Sequence, residues 1–204
     1  VSARAVMKVE NSTVSTTGDS SPAIMIADGG GILIADGGSF TTSGAMSQGI
    51  YSKGDVTVTN ASVNALNAKA AVLKGNNTIT LSGTILEGKE TTDAVPYNIV
   101  LFSDEKDIGT MGTQHFDVRG GSLISHKGGM FYVTATHGKI SLNGTAITMD
   151  DPAANLITVA GNDGANGWGT PGRNGGHVEL VADNQILTGN ISVDSISNIN
   201  MTLK

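Results

Sequence analysis

The sequence predicts an all-β chain, a right-handed parallel β-helix of about seven coils with three short strands per coil. Three observations predict it. A strand triplet, apolar at both ends, recurs along the 204 residues. A residue that tolerates a left-handed backbone stands two places after six of the seven triplets. Aromatic residues are only 4% of the chain while hydrophobic residues are 39%, so the core must be thin and filled by rows of Val, Ile and Leu.

The triplets run in order along the chain. They are Met7-Lys8-Val9, Ile32-Leu33-Ile34, Val56-Thr57-Val58, Ile79-Thr80-Leu81, Phe116-Asp117-Val118, Ile140-Ser141-Leu142 and Val178-Glu179-Leu180. Their starts are 25, 24, 23, 37, 24 and 38 residues apart. Alternation across a triplet is strand periodicity, one face inward and one outward. The outer residues of the last six triplets are therefore expected in the core, Ile32, Ile34, Val178 and Leu180 included. The middle residue is polar in all but the second triplet, where it is Leu33. The expected corners are Asn11, Asp36, Asn60, Gly83, Gly120, Gly144 and Ala182; all but the last tolerate the left-handed region.

Each corner leads to a further apolar residue, such as Val14, Phe40, Val63 and Ile85. A third apolar segment follows in most units, as in Ile24-Met25-Ile26, Val72-Leu73, Ile99-Val100-Leu101, Phe131-Tyr132-Val133 and Leu156-Ile157-Thr158-Val159. Three strands and three bends per unit suit stacked coils that bury a continuous core. A β-sandwich also has short strands and frequent turns, but it gives no reason for a constant three-part repeat. The stretch from Ala65 to Lys74 looks locally helical, yet the triplets continue on both sides of it.

The two longer gaps locate insertions, roughly Glu87 to Gln114 and Gly161 to Gly176. Loops on a rigid scaffold often carry function. Ile199, Met201 and Leu203 look like half of another coil, and no polar cap stands at Lys204. The expectation is one β-helix domain over 1–204, a fragment of a longer surface protein with flanking domains.

The formal net charge is −6 with only 12 Lys and Arg, and no basic stripe appears, so nucleic acid is an unpromising partner. No apolar run approaches the ~18 residues of a membrane helix, so membrane insertion is not expected. Cys is absent, which excludes disulfide frameworks and thiolate metal sites.

The stretch from Trp168 to Lys204 reads as a Gly-rich loop (Gly172 to Gly176), a strand (Val178 to Val181), an Asn184-Gln185 turn and a Val193-Asp194-Ser195 strand. This order resembles the carbohydrate-binding parallel β-helix domains of clostridial and gut-bacterial surface proteins. The resemblance is specific over about the last 80 residues, as far back as Phe131 to Gly144, and generic elsewhere. It implies an extracellular or cell-surface location and a polysaccharide or host glycan as partner. It also implies an acidic, pectic ligand and a role for Ca²⁺.

Candidate residues follow from the insertions. Trp168 is the only Trp, and an indole face can stack on a sugar ring. The alternative is that it folds back and pins its own loop. Arg173 lies near it and has the fork geometry to hold a sugar carboxylate. With Asp163 these form the expected carbohydrate site. Asp150, Asp151 and Asp163 lie near bends and offer oxygen ligands for Ca²⁺; the alternative is that they cap local backbone N–H groups. His115, His126, His137 and His177 show no metalloprotease spacing, and His115 and His137 sit one rung apart, where they could stack.

Catalysis is not expected. A lyase needs a cation and a positioned base. A hydrolase needs two carboxylates at a set separation. Asp150 and Asp151 point to opposite faces if they lie in a strand. A structural adhesin stalk or spacer remains a third reading.

Overall fold

The computed structural model describes residues 5–28, 30–93, 96–103, 112–162 and 172–204. Among the described residues there are 19 strands and no helix. The locally helical stretch from Ala65 to Lys74 holds the end of one strand and the whole of the next.

One sheet has 12 strands. It contains the long strands β1 (Val6–Thr16) and β3 (Ile32–Thr42), each spanning a triplet, its corner and the strand beyond. Later in the chain the same span is divided at the corner. The triplet side becomes β5 (Asp55–Thr59), β8 (Thr78–Ser82), β11 (Thr113–Arg119), β14 (His137–Asn143), β17 (His177–Asp183) and β19 (Asn198–Leu203). The other side becomes β6 (Ser62–Ala65), β9 (Ile85–Gly88), β12 (Ser122–Ser125) and β15 (Ala146–Met149). The second sheet has 7 strands. They are β2 (Ile24–Ile26), β4 (Ile50–Ser52), β7 (Ala71–Lys74), β10 (Tyr97–Phe102), β13 (Gly129–Thr134), β16 (Asn155–Val159) and β18 (Asn190–Val193). The third apolar segments read from the sequence lie in this second sheet. The pairings are parallel, as in Val56↔Ile79, Ile79↔Phe116 and Phe116↔Ile140.

The triplets fill the core as two adjoining rows. Val56, Val58, Ile79, Leu81, Phe116, Val118, Ile140 and Leu142 are buried, while Thr57, Thr80, Asp117 and Ser141 stay partly open to solvent. Each buried aliphatic or aromatic side chain contributes about 2 kcal/mol. The second sheet is buried on both faces along β7, β10, β13 and β16. Val72, Tyr97, Val100 and Tyr132 form a separate cluster from the main core, and the rings of Tyr97 and Tyr132 stack 5.0 Å apart. Both phenols find acceptors, Tyr97 on Thr158 and Tyr132 on the Gly161 carbonyl. Parallel strands covered on both faces read as unbroken apolar runs.

The register corrects two triplets. In β3, Leu33 pairs with Val56 and Ala35 with Val58, and Leu33 and Ala35 are buried while Ile32 and Ile34 are only partly so. The inward triplet is therefore Leu33-Ile34-Ala35; a one-residue slip exchanges the faces of a strand. In β17, Leu180 pairs with Ile140 and Ala182 with Leu142. The seventh repeat unit is thus Leu180-Val181-Ala182, two residues later than expected. Val178 is also buried, but opposite Gly138.

Both corrections restore the corner rule. The corners become Asn11, Gly37, Asn60, Gly83, Gly120, Gly144 and Asn184, and all seven have φ between 45° and 68°. Asp36 and Ala182 are not among the left-handed residues. Corner amides hand hydrogen bonds from one strand to the next, Asn60 N–H to Ser82 O, Gly83 N–H to Arg119 O and Gly120 N–H to Asn143 O. The corner and the residue after it differ in what they tolerate. Gly120 (φ 61°) has open space where a Cβ would go, whereas a Cβ on Gly121 (φ 66°) would lie 2.2 Å from Thr84 O. Gly120→Ala is expected to cost about 1 kcal/mol, the left-handed penalty alone. Gly121→Ala should cost well over that, because backbone must move. Paired urea titrations check the order, and equal losses would contradict the close approach of the two strands.

Candidate functional site

The outward rows of β11, β14, β17 and β19 form a polar surface set by the register. One row runs Thr113, His137, His177, Asn198, and the next runs His115, Lys139, Glu179, Asn200. Parallel strands ~4.8 Å apart place equivalent side chains side by side. The His137 and His177 rings accordingly stack, centroids 5.0 Å apart and planes at 27°. Asn198 Nδ2 lies 2.7 Å from His177 Nδ1. Beside them Lys139 Nζ pairs with Glu179 Oε2 at 3.3 Å, both side chains about half exposed. Thr113, His137, Lys139, His177, Glu179 and Asn198 line a shallow open groove of about 410 Å³. It offers donors, acceptors, both signs of charge and two ring faces.

The next row holds Asp117 between Thr80 and Ser141. Burial pushes its carboxyl above the ordinary carboxylate range, and His115 and Arg119 only partly oppose that. No second carboxylate stands directly opposite it across either adjoining strand.

The expected stack of His115 on His137 is not what forms. His115 pairs in register with Lys139, and His137 with Thr113. His115 immediately precedes the inward residue Phe116, whereas His137 lies three residues before Ile140. His137, His177 and Asn198 lie three residues before Ile140, Leu180 and Met201 respectively, which are register partners, and so share a row. Framing the last triplet on Val178 hides this equivalence; the Asn184 corner reveals it.

Trp168 and Asp163 lie outside the described residues. Arg173 is exposed, and its carbonyl accepts the Asn162 N–H at 2.6 Å. From Arg173 the chain runs through Asn174, Gly175 and Gly176 directly into His177.

Asp150 and Asp151 are engaged separately. Asp150 Oδ2 lies 2.9 Å from His126 Nδ1, and Asp151 Oδ1 accepts the Ala153 N–H at 2.9 Å, a local cap of the turn. Among the described residues no group of three or more His, Asp or Glu is gathered as a metal site.

His126 is bracketed, with Glu87 Oε1 2.5 Å from its Nε2 on the side away from Asp150. Hydrogen bonds to Asp150 and then Glu87 raise the imidazole above its ordinary value. Its stabilisation is therefore fully present below about pH 6.5 and lost as pH rises through the raised value. The three side chains are 31–56% exposed, so screening holds the effect below about 1 kcal/mol. Wild type should lose about 3 °C or less in Tm between about pH 6 and about pH 9 relative to His126→Gln. Identical pH profiles would contradict the bracket.

The pieces of the Trp168–Lys204 motif have structural roles. Asn184 makes the left-handed corner. Gln185 clamps Thr145, accepting its N–H at 2.8 Å and donating to its carbonyl at 2.6 Å. Asp194 Oδ2 accepts the Gly161 N–H at 2.7 Å; burial raises this carboxyl, but the donors of Gly161, Ser197 and Ile196 outweigh it and leave it below the usual range.

Compared with known proteins, the chain matches no family model, no curated protein and no solved structure.

Proposed function

We propose that the two parallel sheets are walls of a right-handed parallel β-helix serving as a non-catalytic, extracellular carbohydrate-binding or adhesin domain. The order of strands supports the fold: β5, β6, β7, then β8, β9, β10, then β11, β12, β13, then β14, β15, β16 visit the same places in turn. Parallel crossovers are right-handed in nearly all proteins.

The observation that carries the function is the in-register groove of His137, His177, Asn198, Lys139 and Glu179. A repeating polymer suits a repeating ladder, with hydroxyls meeting amide and charged groups and ring faces meeting C–H groups. The resemblance of Trp168 to Lys204 to carbohydrate-binding domains points the same way. The second insertion leads in sequence into His177, which lines this groove, and the proposal keeps Trp168, Arg173 and Asp163 as its binding candidates.

A glycan array run with Ca²⁺ and with chelator tests the reading. Binding to acidic polysaccharide is expected, weakened about tenfold by His177→Ala, a loss of about 1.4 kcal/mol. Loss of binding in chelator assigns Ca²⁺ a bridging role. Absence of any hit in both conditions supports a spacer instead, and new unsaturated products support a lyase. Trp168→Ala should remove about 1 to 2 kcal/mol of affinity with Tm nearly unchanged. A large fall in Tm would instead mean that Trp168 pins its own loop.

A further inference from the structure

The geometry points to a second capability of the groove: His137 and His177 form a two-imidazole clamp for a divalent transition metal of the Zn²⁺, Ni²⁺ or Cu²⁺ type. Imidazole is a favoured ligand for these ions. The clamp is set by backbone, since the two residues are register partners on adjacent parallel strands with ring centroids 5.0 Å apart.

Metal–nitrogen bonds of about 2.0–2.1 Å require the two ligating nitrogens to approach to about 3.4 Å in a tetrahedral site. The rings must tilt toward each other to reach this, and both line an open groove. Asn198 supplies the second observation. Its Nδ2 lies 2.7 Å from His177 Nδ1, and a half-turn of the amide, which exchanges its nitrogen and oxygen in place, lets the oxygen accept there instead. With the oxygen turned to Nδ1–H, the tautomer is fixed and the Nε2 lone pair is free for a metal. Such an outer partner is the usual companion of a ligating His. Lys139, which lines the same groove, is paired with Glu179, which reduces its repulsion. The remaining coordination positions would be taken by water.

His115 and His126 are internal controls. His126 has both ring nitrogens engaged by Glu87 and Asp150, and His115 has Thr78 and Lys139 as register partners.

The test is calorimetric titration of the untagged chain with NiCl₂ and ZnCl₂ in the absence of glycan, with electron paramagnetic resonance of the Cu²⁺ complex. One saturable site per chain and hyperfine coupling to two nitrogens are expected. His137→Ala and His177→Ala should each weaken binding at least about tenfold, and Asn198→Ala about tenfold. His115→Ala and His126→Ala should bind as wild type does. Absence of saturable binding, unchanged affinity in His137→Ala, or loss of the site in His126→Ala would overturn the assignment. Since no glycan is present, the outcome is independent of the carbohydrate reading.

Discussion

Val58→Asp is expected to destabilise the domain by about 4 kcal/mol or more. Val58 is completely buried between its register partners Ala35 and Leu81. A carboxylate there meets apolar side chains and no cation. Net stabilities are only about 5–15 kcal/mol, so this one change removes a large part of the total. Thr57→Asp is the matched control, because Thr57 lies one residue away on the partly open face and should cost under about 1 kcal/mol. Urea unfolding followed by circular dichroism compares the two. Similar losses in both variants would mean that the inward and outward faces are misassigned.

Lys69→Met is the second large effect. Lys69 is 9% and Glu90 3% exposed, and Lys69 Nζ lies 2.8 Å from Glu90 Oε2 while also pairing with Asp93. Glu90 Oε1 takes the Thr92 N–H at 2.7 Å and the Thr92 hydroxyl at 2.5 Å. Removing the ammonium strands a buried carboxylate, at a cost of about 3–5 kcal/mol. Combining Lys69→Met with Glu90→Gln should cost less than Lys69→Met alone, because the amide still accepts from Thr92 without a charge. A double variant no more stable than the single one would refute the ion-pair account.

The same cluster has a pH signature. Burial raises the Glu90 carboxyl, but Lys69 and Thr92 outweigh it and hold the carboxyl below its ordinary value of 4.5. A depressed folded-state value adds stability above the ordinary carboxylate range, lost as pH falls through the lowered value. Wild type should therefore lose stability on acidification below about pH 4.5 more steeply than the double variant.

Much of the architecture was legible in the residues. Polar–apolar alternation in triplets such as Val56-Thr57-Val58 names the inward face, because strand side chains alternate by two. The corners were legible wherever Asn or Gly follows at a fixed offset, since few other residues accept a left-handed backbone cheaply. The frame was not legible where both parities are apolar. Ile32 to Ala35 offers a hydrophobic residue at every place, as does Val178 to Ala182 with one exception, and only the pairing to Val56 and Ile140 selects the frame.

The groove was hidden for the same reason. His137, His177 and Asn198 are far apart in sequence and carry no motif spacing; the pairing register alone brings them into one row. The buried cluster of Lys69, Glu90 and Asp93 likewise looks like ordinary surface charge until the structure brings Glu90 and Asp93 onto Lys69. The sequence by itself determined the strands, the corners and the thin core, because these follow from local alternation and backbone preference. The tertiary structure alone decided which side chains meet across strands, because register is a property of paired chains and a shift of one residue exchanges every face.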